Sequence, residues 1–145
     1  MGKFDSQKFA TNTNEWATPN SLFEPLHQEF NFTCDVAASH ENAKCPIFFD
    51  KQTNALTQHW SGTCWMNPPY GENLKKFIIK AFEEAQKGNA TTVCLIPART
   101  NTDWFHQYCL KGEIRFIKGR PKFNNAKHGL PQPLAIVVFR KREWH

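Results

Sequence analysis

The sequence predicts an α/β protein built on an open, doubly wound, mostly parallel sheet with helices on both faces. Three observations predict it. Apolar runs of strand length alternate with stretches of helical period along much of the chain. The strongest runs, TTVCLIP and LAIVVFR, are apolar at consecutive positions, as in strands buried on both faces. The length, 145 residues, is that of one domain able to bury a real core. In such a sheet ligands sit beyond the carboxyl ends of the strands, where the strand order reverses.

Each element follows from local chemistry. The opening segment, residues 1–15, is polar and aperiodic and is expected to be flexible, with one folded domain over 16–145. In TPNSLFEPLHQEF, Leu22, Phe23, Leu26 and Phe30 recur at helical spacing after a Thr or Asn cap, predicting a helix from about 19 to 29 despite Pro25. FTCDVAAS reads as a short strand at about 31 to 36, and CPIFF and TCWMN as two more. LKKFIIKAFEEAQK puts Leu74, Phe77, Ile78, Ala81, Phe82 and Ala85 on one face with charges opposite, an amphipathic helix stopped at Gly88-Asn89. TTVCLIP is a buried strand ended by Pro97. DWFHQYCL is a short helix, EIRFIK a strand, and LAIVVFR a last strand of core character.

Composition narrows the function classes. Lys and Arg number 18 against 13 Asp and Glu, a net charge of +5, which favours a polyanionic partner. Five widely spaced cysteines without a CxxC pair argue against a disulfide framework or a zinc ribbon. Cys34, His40 and Cys45 lack a fourth ligand at suitable spacing, so no metal site is expected. No h-region opens the chain and no apolar run approaches the ~18 residues of a membrane span. A reducing cytoplasm is the expected location, and neither a P-loop nor a nucleophile elbow is present.

The corner Asn67-Pro68-Pro69-Tyr70 closes the TCWMN strand, at one of the two ends where a ligand crevice is expected. It resembles the catalytic motif of S-adenosylmethionine-dependent methyltransferases that act on amino groups of planar substrates. An aromatic exocyclic amine is a poor nucleophile because its lone pair is delocalised into the ring. The Asn67 side-chain carbonyl and the Pro68 main-chain carbonyl would accept its two hydrogens and favour a pyramidal nitrogen. Carbonyl dipoles already aimed there stabilise the positive charge that develops during methyl transfer. Pro68 and Pro69 fix the backbone that aims them. Tyr70 would stack on the substrate ring, which must be flipped out if it belongs to a duplex. A Pro-Pro turn with a merely packed Tyr70 is the plain alternative.

At the other end, CDVAAS offers Asp35 for a cationic ammonium group and small Ala37, Ala38 and Ser39 for close backbone approach. A helix cap or a surface charge is the alternative for Asp35. Upstream, WATP resembles the aromatic-x-Thr-Pro element of amino-methyltransferases. The order WATPNSLFEPLHQEF, CDVAAS, CPIFFD, Trp60-Ser61-Gly62 and NPPYG, over residues 16–140, is similar to the phage and prophage DNA N-6-adenine methyltransferase family.

That resemblance implies a compact, Rossmann-like methyltransferase fold without a separate target-recognition domain, and S-adenosylmethionine as cofactor. It places Thr18 and Pro19 at the methionine moiety, Asp35 and Ala37 at its amino acid end, and Asp50 near the ribose. Trp16, Val36, Asn54 and Asn67 complete the implied cofactor set. Asn54 departs from the acidic residue that related sequences tend to carry, which bears on cofactor affinity. Asn67, Pro68, Pro69 and Tyr70 would be catalytic. The implied partner is double-stranded DNA with its target adenine flipped out. The enzyme would be a monomer or homodimer, in a host cytoplasm if phage-encoded.

In the C-terminal third, Arg99 and Asn101 follow the TTVCLIP strand, placed for phosphate or base-edge contacts or simply for a loop in which Thr102 caps the next helix. KGRPKFNNAKHGLPQP brings Arg120, Lys122 and Lys127 into a basic loop suited to a phosphate backbone, or into a solvated hairpin. The leading reading is transfer of a methyl group to the exocyclic amine of adenine in DNA, by base flipping and in-line attack, with no metal. Cytosine N-4, RNA amines and glutamine amides are the other acceptors. A catalytically silent binding module with an antirestriction or regulatory role is the alternative from a different class.

Overall fold

The computed structural model describes residues 18–39, 41–121 and 132–143. The expected flexible segment at 1–15, Trp16, Lys122 and Lys127 lie outside the described residues. In chain order the elements are α1 (Asn20–Phe30), β1 (Cys34–Asp35), β2 (Ile47–Phe48), β3 (Gly62–Met66), α2 (Leu74–Gln86), β4 (Ala90–Pro97), α3 (Asp103–Gln107), β5 (Glu113–Phe116) and β6 (Leu134–Phe139), with 3-10 turns at Ala55–Thr57 and Cys109–Lys111.

The strands form one six-stranded sheet in the order β2-β1-β3-β4-β6-β5. β1 is parallel to β2 and β3, and β3 to β4, while β6 is antiparallel to both β4 and β5. Five strands therefore run one way and β6 alone runs against them. A run such as LAIVVF, buried at every position, signals cover on both faces but carries no information on direction. β1 is shorter than expected, yet its ladder continues through Thr33 N–H to Thr63 O (2.8 Å) and Val36 N–H to Trp65 O (3.0 Å).

Alternation along the strands divides the core in two. Cys64, Met66, Cys94, Ile96, Val137 and Phe139 face α2 and the Trp104-Phe105 pair of α3. Trp65, Val93, Leu95, Ile136 and Val138 face α1 through Phe23 and Leu26. Trp65 meets the Phe23 ring edge-on at 5.2 Å, and truncation of so buried an indole to alanine would cost about 3–5 kcal/mol. Pro25 is tolerated in α1 because it sits on the exposed side, where the carbonyl it leaves unbonded meets water. Asn31 ends α1 in the left-handed conformation (φ 56°), its N–H bonded to His27 O at 2.7 Å.

This topology sets the site. The chain leaves β1 for β2 on one side and returns in β3 on the other. The carboxyl ends of β1 and β3, which carry Asp35 and Asn67, therefore flank the point where strand order reverses.

Candidate active site

Asn67 follows β3 directly and is 8% exposed. Its Nδ2 donates to Thr18 Oγ1 at 3.2 Å, across 49 residues of sequence. The Tyr70 hydroxyl lies 3.3 Å from Asn67 Oδ1 and 3.2 Å from the Leu95 carbonyl of β4, able to donate to either. Burial pushes the Tyr70 phenol above its ordinary range, with the Arg99 charge working against that shift. Pro68 is buried and Pro69 half-buried. The corner opens outward at Gly71, where a Cβ would meet nothing within 4 Å.

Asp35, at the end of β1, is 3% exposed. Its Oδ1 accepts from Ala37 N–H at 3.2 Å and its Oδ2 from Lys44 N–H at 3.0 Å. Burial raises its pKa to about 6, against the pull of those two N–H groups and the Lys44 charge. Lys44 lies 5.4 Å above the Phe23 ring and donates to Asn20 Oδ1 at 3.2 Å. Desolvation lowers the pKa of its ammonium group. Thr18, Asp35, Ala37 and Asn67 share a small recess with Lys44.

Beyond β1 this recess adjoins a cavity of 660 Å³, with Ala37 lining both. Val36, Ala37 and Ala38 form one wall, Phe49, Asp50, Asn54 and Leu56 the next, and Pro69, Asn73 and Phe77 the third. The expected cofactor residues Val36, Ala37, Asp50 and Asn54 thus meet in one space. Thr18, Asp35 and Asn67 border its neighbour, and Pro19, at the N-cap of α1, lines neither. Asp50 Oδ1 accepts from Thr53 N–H at 2.9 Å, holding the turn that shapes the cavity. Asn54 adopts the left-handed conformation (φ 57°) and accepts from Leu56 N–H at 3.2 Å. An acidic side chain at this position is therefore not needed for the turn.

Phe49, Leu56, Asn73 and Phe77 are cavity residues that sequence reasoning did not single out. Phe77 was legible only as part of the apolar face of α2. Nothing in a linear pattern shows which of those residues tips toward a cavity instead of the core.

The carboxyl ends of β1 to β5 share one edge of the sheet, which brings the expected polyanion contacts to the same rim. Arg99, just past β4, has its Nη2 3.5 Å from Gln132 Oε1. Asn101 and Arg120 are exposed, and Arg120 follows Gly119 at φ 77°. Thr102 caps α3 through Phe105 N–H at 3.4 Å. Among the described residues no cluster of three or more ligating side chains suits a metal ion. No helix among them is long and apolar enough to cross a membrane.

An amide and two prolines thus stand at a strand end, beside a cavity at the reversal of a mixed α/β sheet. The family model for DNA N-6-adenine-methyltransferase (Dam) matches residues 5–138. The chain belongs to this family of DNA N-6-adenine methyltransferases. It is 32% identical over 133 residues to the DNA N-6-adenine-methyltransferase of Haemophilus phage HP1, covering 83% of this chain and 76% of that protein. It is 34% identical over 93 residues to the DNA N-6-adenine-methyltransferase of Escherichia phage T1, covering 62% of this chain and 38% of that longer protein.

Proposed function

We propose that the chain transfers a methyl group from S-adenosylmethionine to N6 of adenine in double-stranded DNA, with the target base flipped out of the helix. The observation that carries this reading is the position of Asn67 and Pro68 at the reversal of strand order, with the 660 Å³ cavity alongside. We read the fold as a Rossmann-like arrangement and residues 16–145 as one catalytic unit.

The residues present fit the cofactor. Ser39 lines the cavity and buries a hydroxyl that has no hydrogen-bond partner among the described residues. A buried donor and acceptor of this kind is costly unless a ligand bonds it. Phe49, Leu56 and Phe77 offer apolar surface for a purine, and Asp50 stands at the end of the β2 wall for a ribose hydroxyl. Asp35, ionised, would face the ammonium group of the amino acid end. When bound, S-adenosylmethionine supplies an electrophilic methyl group on a sulfonium.

The chain's own part at the acceptor is alignment. Asn67 Oδ1 and the Pro68 carbonyl accept the two amine hydrogens and turn the nitrogen lone pair toward the methyl group. As positive charge grows on that nitrogen, both dipoles already point their negative ends at it. Tyr70 offers the stacking surface, and Arg99, Asn101, Arg120, Lys122 and Lys127 hold the backbone and rim of the DNA.

Tritium-methyl transfer to unmethylated DNA and to RNA, with Asn67→Ala as control, tests the reading. Label should enter adenine of DNA and disappear in the variant. Wild-type rates in N67A, label in RNA alone, or absence of cofactor binding at millimolar concentration would each overturn it.

A further inference from the structure

We propose that Phe116 is a wedge that enters the DNA stack beside the flipped adenine; the inference rests on the base-flipping reading given above. Phe116 is 69% exposed at the carboxyl end of β5. A single apolar side chain in water is ordinary. The place of this one in the sheet, and its neighbours, set it apart.

The strand register fixes its height. Phe116 pairs with Ala135 of β6, and Ala135 with Ile96 of β4. Met66 of β3 pairs with Cys94, so the same register continued by two residues brings Pro68 level with Ile96 and with Phe116. The ring therefore stands at the height of the Asn67-Pro68 corner, three strands away, or about 14 Å at the usual strand spacing. Alternation fixes its side. Arg115 reaches Glu29 of α1 and Ile117 packs with the α1 half of the core, while Ile114 packs with the α2 half. Phe116 shares the α2 side with Ile114, and on that side Asn73 and Phe77, at the start of α2, wall the cavity.

Charge then selects the occupant. Arg115 and Arg140 are paired with Glu29 and Glu113. Lys118 and Arg120, which follow Phe116, are exposed and have no ion pair among the described residues. Gly119 turns the chain between them at φ 77°. An exposed ring followed by two unpaired cations matches a nucleic acid, whose stacked bases are edged by phosphates. A duplex major groove is about 12 Å wide, so DNA that gives a base to Asn67 keeps its stack within reach of Phe116. Flipping a base out sacrifices stacking, and an apolar ring inserted at the gap recovers part of it.

The test uses Phe116→Ala and Phe116→Trp, both at an exposed position where folding is not at stake. Methyl transfer is followed in single turnover on unmethylated plasmid DNA, as duplex and after heat denaturation. F116A should slow transfer to duplex DNA ~10–100-fold, the scale of one lost base-aromatic stack. Transfer to denatured strands should slow less than about threefold, because their bases need no extraction from a duplex. F116W should restore most of the duplex rate. Equal losses on both substrates, or a wild-type rate of F116A on duplex DNA, would overturn the proposal. A second measurement needs no turnover. Closed circular plasmid relaxed by a topoisomerase in the presence of the wild-type protein should retain a change in linking number, since a wedge untwists the step it enters, and F116A should leave at most about half of that change. An equal change with both proteins refutes the wedge. Light scattering tests the other occupant, a second copy of the chain. A wild-type dimer that F116A dissociates would make Phe116 a subunit contact and overturn the proposal. Failure of the wild type to methylate DNA, or N67A at the wild-type rate, would instead sink the underlying reading.

Discussion

Two polar side chains stand at neighbouring strand ends and are held by opposite means. Asp35 is gripped by main-chain donors, Ala37 N–H and Lys44 N–H, one on each oxygen. Asn67 meets, among its partners, two side chains, the Thr18 hydroxyl and the Tyr70 phenol. Main-chain donors come with the fold and survive most substitutions. Side-chain partners can be changed one atom at a time. The β1 end is thus a rigidly held carboxyl and the β3 end an adjustable dipole, which on the proposed reading suit a cofactor of constant shape and an acceptor that must be aligned anew in each turnover.

The largest expected effect breaks the β3 end. Asn67→Ala removes one of two dipoles aimed at the developing charge and should lower kcat ~100–1000-fold, with cofactor Kd within about threefold. Single-turnover transfer beside calorimetry separates the two quantities. A rise in Kd with kcat intact would place Asn67 in cofactor binding alone.

Asp35→Ala breaks the β1 end and should give the reverse pattern. It strands two N–H groups that Asp35 now satisfies, at about 1–3 kcal/mol for each that stays dry, which lowers the thermal midpoint. On the proposed reading it also removes the charge offered to the ammonium group, so cofactor Kd should rise ~10-fold or more. An unchanged Kd in a folded D35A protein would remove Asp35 from the cofactor site.

Much of this contrast was legible in the sequence, and the reason is local. The Asn67 corner announces itself because Pro68 and Pro69 forbid a continuing strand. The α2 face, the β4 run and the position of Asp35 at a strand end follow from periodicity. The direction of β6 did not, because an apolar run reports burial and not polarity. The partners of Asn67 were equally hidden, since Thr18 lies 49 residues away and no short-range pattern encodes that meeting. Asn54 read as a departure from an acidic position. Its left-handed φ of 57° gives the residue a backbone reason, for Asn tolerates that conformation better than most.

The pH dependence sharpens the comparison with a smaller effect. Because burial raises the Asp35 pKa to about 6, the free protein holds that proton more tightly than the unfolded chain does. Its contribution to stability is full below the ordinary value of 3.8 and is lost as pH rises through about 6. Cofactor binding has the opposite sign, since only the carboxylate faces an ammonium group favourably. Affinity should fall as pH drops through about 6, by at most about tenfold per pH unit. Proton release on binding near pH 6, read from calorimetry in buffers of different ionisation enthalpy, checks the assignment. Asn67 does not titrate, so kcat at saturating cofactor should not share this profile.

The smallest effect concerns Tyr70, where ring and hydroxyl serve different ends. The hydroxyl ties the corner to the Leu95 carbonyl and to Asn67 Oδ1. The ring packs against both halves of the core and, on the proposed reading, offers its remaining face to the acceptor. Tyr70→Phe keeps the ring and deletes the tie, leaving a strand carbonyl short of one partner. The expected loss is about 1 kcal/mol of stability, a fall of roughly 2–4 °C in the thermal midpoint for a chain of this size. Its kcat should stay within about fivefold of wild type, because Oδ1 is released to the amine. A Y70F protein as slow as N67A would mean that the phenol aligns the amine together with Asn67, and the β3 end would then be aimed by two side chains in series.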